Sequence, residues 1–122
     1  MSMYGDFRVE THTTGRAATV TVNGELDLVS SPTLEEALER VGGTDVDLVV
    51  LDLRGLEFMD STGLHLLIKA QQRLQEKGRR FAVIKGGVQV ERLLNLTGVS
   101  ELVKIVDSPE ELLDTDRTPD AP

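Results

Sequence analysis

The chain has 122 residues, a formal net charge of −8 and no cysteine. This length builds one domain that buries a core without staples, and the missing thiols exclude disulfides, thiolate metal sites and cysteine nucleophiles. Thirteen Lys and Arg against 21 Asp and Glu argue against a nucleic-acid or anionic-membrane partner, because phosphate binding needs clustered positive charge, and suit a partner with a basic face.

With three Phe, one Tyr and no Trp, the core must be Val, Leu, Ile and Ala. No apolar run approaches the roughly 18 residues of a membrane span, and residues 1–10 lack a signal-peptide layout, so a cytoplasmic protein is expected.

Residues 7–13 and 17–23 alternate in polarity around Thr14-Gly15-Arg16, which predicts a β-hairpin. Gly24 is expected to interrupt it, with Glu25-Leu26-Asp27 starting a further short strand. Ser31-Pro32 opens a helix, with Ser31 as cap, Glu35 and Glu36 in the first turns, and Leu34, Ala37, Leu38 and Val41 as the apolar stripe. Gly42-Gly43 closes it. The run from Val46 to Leu53 suits a strand buried on both faces.

A second helix is predicted from about Ser61 to Lys77, striped by Leu64, Leu67, Ile68 and Leu74 and stopped by Gly78. Phe81 to Ile84 reads as a strand. Val90, Leu93, Leu94 and Thr97 mark a third helix closed by Gly98, and Leu102 to Val106 a last strand. Ser108-Pro109-Glu110-Glu111 is a capping-box start for a short final helix. Residues 1–6 are expected to be a flexible start, 7–114 the domain, and 115–122 a disordered tail. Strands alternating with helices imply an α/β fold with parallel pairing: a mixed sheet of four or five strands, antiparallel at the opening hairpin, with about four helices packed on it.

The usual catalytic and nucleotide-binding signatures are missing, and only His12 and His65 are available as histidine ligands, so no metal site or cofactor is expected. One segment stands out, Phe58-Met59-Asp60-Ser61-Thr62-Gly63-Leu64, between the buried strand and the second helix. Sites gather at this end of open α/β sheets. Asp60 suits the N-cap, accepting from the N–H of Thr62 or Gly63, with Met59 and Leu64 placed as a hydrophobic staple. Ser61 then occupies the first helical position, and its hydroxyl points outward. Asp-Ser-Thr-Gly by itself is ordinary helix-start chemistry; its context adds more.

Three stretches resemble the STAS domain of bacterial anti-sigma factor antagonists. Asn23 to Asp27 is similar to the family's G-E-L-D after the second strand. Leu51 to Leu66 (LDLRGLEFMDSTGLHL) is similar to its strand, loop and D-S-[ST]-G-L helix start, and Val90 to Val99 to its third helix and the following Gly turn. The resemblance covers roughly residues 8–113. It implies a partner switch controlling transcription. The unphosphorylated antagonist binds an anti-sigma factor serine kinase, which brings its own ATP, and the sigma factor is released. The kinase phosphorylates the serine after the motif aspartate, here Ser61, and a phosphoserine phosphatase reverses this. Asp27 matches the G-E-L-D aspartate, associated with the kinase-contact surface, and Asp60 matches the aspartate beside the phosphosite. Thr62, Gly63 and His65 complete the expected partner-binding set, with no catalytic residue of the chain's own.

Around this set, His65 and Lys69 follow Ser61 at helical spacing and share its face, either as partner contacts or as an ordinary wet face. Thr62 reads as satisfying backbone, Phe58 and Met59 as core and staple, and Arg54 as a solvated cation. Gly63 either admits a partner or relieves crowding. Gly86-Gly87 departs from the Ser-Pro common before the family's third helix. Three alternatives compete. One is a STAS module in a stress-signalling scaffold or lipid-transport complex. Another is an interaction domain without phosphorylation. The third is a hydrolase built on Ser61, His65 and Asp60. That enzyme is rejected, since an i,i+4 pair on one helix does not seat the imidazole on the hydroxyl while a third group orients it.

Overall fold

The computed structural model describes residues 7–112, so the expected flexible start and the tail at 115–122 lie outside the described residues. Two strands open the fold: β1 (Arg8–Thr14) and β2 (Ala17–Leu26) pair antiparallel with Thr14 opposite Ala17. The tight connection needs a left-handed residue, and Gly15 supplies it at φ +61°. Helix α1 (Ser31–Gly42) follows, then β3 (Leu48–Met59), α2 (Ser61–Glu76), β4 (Arg80–Ile84) and α3 (Val88–Thr97). A 3-10 turn at Val99–Glu101 leads into β5 (Lys104–Val106), and helix resumes at 109–112.

The sheet order is β1-β2-β3-β4-β5, parallel everywhere except between β1 and β2. β3 is central, and Leu48 to Leu53 are all buried, Asp52 included, as its nearly all-apolar run predicts. Val49, Leu51 and Leu53 face one side with Val20, Val22, Phe81 and Val83, where Leu34 and Leu38 of α1, Leu67 and Leu74 of α2 and Leu94 of α3 cover them. Leu48 and Val50 face the other side with Ala82, Ile84, Val106 and Leu112.

Four sequence expectations are corrected. Gly24 does not interrupt β2; the strand runs on to Leu26, and Gly24, at φ +107°, sits at a register shift against β3. The long β3 supplies partners up to Met59, so the ladder continues past an irregularity that looked like a break. Helix α1 is capped at Ser30, not Ser31, and Glu35 and Glu36 fall beyond its first turn. The last strand starts at Lys104, because Leu102 belongs to the turn that follows the 3-10 segment. Phe58, expected in the core, is 39% exposed at the end of β3.

β3 outruns β4. Their pairing covers Leu48–Asp52 only, so residues 53–59 project past β4 with β2 alone beside them in the sheet. This overhang carries the candidate site.

Candidate functional site at the carboxyl ends of the central strands

The overhanging strand ends on Met59, which pairs with Leu26 at the end of β2. Asp27 and Asp60, the residues after this pair, therefore leave the sheet side by side, and the N–H of Asp60 donates to the carbonyl of Leu26 at 3.2 Å. Asp60 has extended backbone and caps α2, its Oδ1 accepting from the Thr62 N–H at 2.8 Å. Here a short acceptor satisfies a first-turn donor, as the sequence spacing predicts. Ser61 follows at the first helical position. It is exposed, and its hydroxyl has no hydrogen-bond partner among the described residues.

The neighbours divide by what they touch. Asp27, half-buried, accepts at Oδ1 from the N–H groups of Val29 and Ser30, each at 3.1 Å. Ser30 Oγ donates to the Glu25 carbonyl at 2.8 Å and accepts from the Asp27 N–H at 3.0 Å. Asp27 thus folds the turn that starts α1, whatever else it does. Thr62 is half-buried, and its N–H, not its hydroxyl, makes the cap bond. Gly63 is buried inside the chain: a Cβ there would lie 2.5 Å from Met59 Cγ and 3.0 Å from Leu26 Cδ2. Met59 and Leu64, the expected staple, are both buried in the same core cluster.

His65 is exposed one turn after Ser61, whereas Lys69 turns away to pair with Glu35 of α1. Arg54 is also occupied. Its Nε and Nη2 donate to Asp52 at 3.0 and 2.8 Å on the sheet face opposite α1–α3. Burial pushes the Asp52 carboxyl up, but the Arg54 hydrogen bonds outweigh it and hold the group below the usual carboxylate range.

Several residues at this end escaped the sequence reading. Leu28 and Val29, directly after Asp27, are 75% and 61% exposed, and Val88 at the start of α3 is 70% exposed. Their signal was present but weak: apolar residues between elements that join no stripe. Gln89 was missed altogether. Its side-chain amide bridges to Met59, accepting from the N–H and donating to the carbonyl, each at 3.0 Å.

A cleft of about 420 Å³ lies elsewhere, between α1 and α2, lined by Leu38, Leu66 and Ala70 and flanked by the Glu35–Lys69 and Glu39–Arg73 ion pairs. Ser61 is not part of it. Among the described residues no cluster of three His, Asp or Glu is arranged to hold a metal, and no helix is long and apolar enough to cross a membrane.

The five-stranded α/β sheet carries an exposed serine after the Asp60 cap at the carboxyl ends of its central strands, and comparison with known proteins gives the family. The profile of the STAS domain matches residues 8–112, and the chain belongs to that family. The chain is 28% identical over 105 residues to the anti-sigma-B factor antagonist of Staphylococcus aureus, covering 86% of this chain and 97% of that protein. A crystal structure of an anti-sigma factor antagonist from Mycobacterium paratuberculosis superposes with a TM-score of 0.84 at 26% identity, over 96% of this chain and 99% of that one. The unphosphorylated form of the anti-sigma factor antagonist SpoIIAA shares the fold, with a TM-score of 0.75 at 18% identity over 93% of this chain and all of that one.

Proposed function

We propose that this protein is an anti-sigma factor antagonist working in the cytoplasm, a regulatory binding protein with no catalysis of its own. Its unphosphorylated form binds an anti-sigma serine kinase and frees the sigma factor; phosphorylation of Ser61 ends the binding, and a phosphatase restores it. The observation that carries this reading is the Ser61 hydroxyl, exposed and without a hydrogen-bond partner among the described residues, at the first position of α2. Relatives of matching length named as anti-sigma factor antagonists support it.

The chemistry is phosphoryl transfer to Ser61 Oγ. The new O–P bond forms as the bond between the γ-phosphorus and the β,γ-bridging oxygen of ATP breaks. The hydroxyl proton passes to the kinase or to solvent, and ADP leaves. ATP and its Mg²⁺ belong to the partner. The product phosphate sits at a helix N-terminus, where the helix dipole favours negative charge, so α2 does not melt. The switch therefore acts at the interface. Phosphoserine brings about −1.5 to −2 charge next to the Asp60 carboxylate. Burying that pair against a surface shaped for a neutral hydroxyl costs several kcal/mol, and about 3 kcal/mol is already more than a hundredfold in affinity.

The surface around Ser61 fits protein docking. Exposed Leu28, Val29 and Val88 supply apolar contact at the same end of the sheet as the Asp27 and Asp60 carboxylates, a rim suited to apolar side chains around a cation. Binding of the anti-sigma kinase to Ser61→Ala, Ser61→Glu and the Ser61-phosphorylated protein tests the proposal. Ser61→Ala should bind like the unmodified protein, Ser61→Glu at least about tenfold more weakly, and the phosphorylated form more than about a hundredfold more weakly. Equal affinity across the three removes the switch.

A further inference from the structure

The end of β3 raises an accounting question. In a parallel sheet the N–H and C=O of one residue point to the same neighbouring strand, and successive residues alternate sides. Asp60 donates towards β2, to the Leu26 carbonyl. Met59 must then direct both its N–H and its C=O away from β2, to the side where β4 would lie. β4 has stopped: its last partner on β3 is Asp52, opposite Ile84. Met59 is fully buried, and leaving two buried main-chain groups unpaired is costly.

Gln89 fills this place. A primary amide offers one acceptor and a donor in the same plane, as a peptide group does. Its Oε1 takes the Met59 N–H and its Nε2 serves the Met59 carbonyl, both at 3.0 Å. The side chain acts as a one-residue extension of the missing strand. The chain reaches this position by passing close over β3: a Cβ at Gly86 would lie 2.5 Å from the Leu53 carbonyl oxygen. Gly86 therefore lets the chain bring the first turn of α3 onto the overhang.

We infer that Gln89 is a positioning residue for the phosphoacceptor: by clamping both main-chain groups of Met59 it fixes the direction in which the chain enters the Asp60 cap, and so aims the Ser61 hydroxyl. Only Asp60 separates the clamped residue from Ser61. Met59 is held on its other flank by its pairing with β2, and beneath by Gly63 packed against its side chain. With the amide removed, β2 supplies the remaining main-chain pairing at the strand end. The same clamp ties α3, with exposed Val88 next to Gln89, to the strand that carries Ser61, making the two parts of the rim one rigid unit.

This inference rests on Ser61 being the phosphoacceptor, and the test separates the two. Each anti-sigma kinase of the source organism is incubated with ATP, Mg²⁺ and the full chain as wild type, Gln89→Leu, Gln89→Glu and Leu93→Ala. Leu93→Ala weakens packing of the same helix without touching the amide; Gln89→Glu keeps the size of the side chain and loses the donor. Phosphorylation at Ser61 is followed under saturating kinase-substrate conditions, with melting temperature and hydrogen exchange of the Met59 amide measured in parallel. Expected is a fall of about tenfold or more in the maximal rate for both Gln89 variants, with faster Met59 exchange, while Leu93→Ala keeps the wild-type rate. A wild-type maximal rate in a folded Gln89 variant overturns the inference and leaves the phosphoacceptor reading standing, as does a parallel loss in Leu93→Ala at matched stability. Absence of Ser61 phosphate on the wild-type protein with every kinase overturns both.

Discussion

Replacing Gly63 by alanine asks whether the glycine of Asp-Ser-Thr-Gly serves a partner or the fold. Two effects oppose each other. Alanine is about 1 kcal/mol better than glycine within a helix. Against this, the new methyl would stand 2.5 Å from Met59 Cγ, 2.8 Å from Met59 Sδ and 3.0 Å from Leu26 Cδ2. Met59 and Leu26 are fully buried, so neither has open space to move into. Overpacking of this kind costs about 1–3 kcal/mol, which outweighs the propensity gain and leaves the variant less stable by up to about 2 kcal/mol. For a domain of this size that corresponds to a drop of roughly 5–10 °C in melting temperature. With no tryptophan in the chain, far-UV circular dichroism during urea unfolding is the suitable readout. The clash account also fixes a sign reversal. In a Met59→Ala background, which itself costs about 2–5 kcal/mol, Gly63→Ala becomes neutral or stabilising. A coupling of about 1–3 kcal/mol between the two sites is expected. Stabilisation by Gly63→Ala alone, or simple additivity of the two changes, refutes the reasoning and moves the need for glycine outside the fold.

Other outcomes follow from single contacts. Asp27→Asn keeps an acceptor for the Val29 and Ser30 N–H groups, so stability should stay within about 0.5 kcal/mol while kinase affinity falls; Asp27→Ala should also lose about 1 kcal/mol of stability, and calorimetry of both separates the contact role from the turn role. Asp52→Asn should destabilise by about 1–2 kcal/mol at neutral pH, leaving half-exposed Arg54 without its anion. Because the folded Asp52 carboxyl is held below its unfolded value of about 3.9, its contribution is present above that pH and fades as pH falls through the folded value. The stability gap between wild type and Asp52→Asn should therefore narrow in acid, and a constant gap from pH 7 to pH 3 contradicts it. Leu28→Ser and Val88→Ser alter exposed side chains, so melting should be almost unchanged while affinity for the kinase drops; retention of full affinity in both removes the apolar rim from the interface.

The elements legible in the sequence were those whose signals are local. The alternation on either side of Gly15, the stripe Leu34-Ala37-Leu38-Val41 and the nearly all-apolar run of β3 each state their period and their burial within a few residues. The Asp60 cap and the outward Ser61 were equally local, since a cap and the first helical position are fixed by one another. Expectations that failed needed a distant partner. Gly24 looks like a strand end until β3 supplies Leu56 opposite it. Ser31 looks like a cap until Asp27 takes the turn's N–H groups and moves the start to Ser30.

What this sequence determined alone was the α/β alternation, the family's motif and the serine at a helix start, because hydrophobic period and capping chemistry act over one or two turns of chain. The tertiary structure decided that β3 outruns β4, that Gly63 is filled by Met59, that Leu28, Val29 and Val88 lie exposed at one end of the sheet, and that Gln89 completes a strand 30 residues away. Those facts depend on which main-chain groups are left without partners once the sheet has formed, a quantity that no stretch of sequence carries by itself.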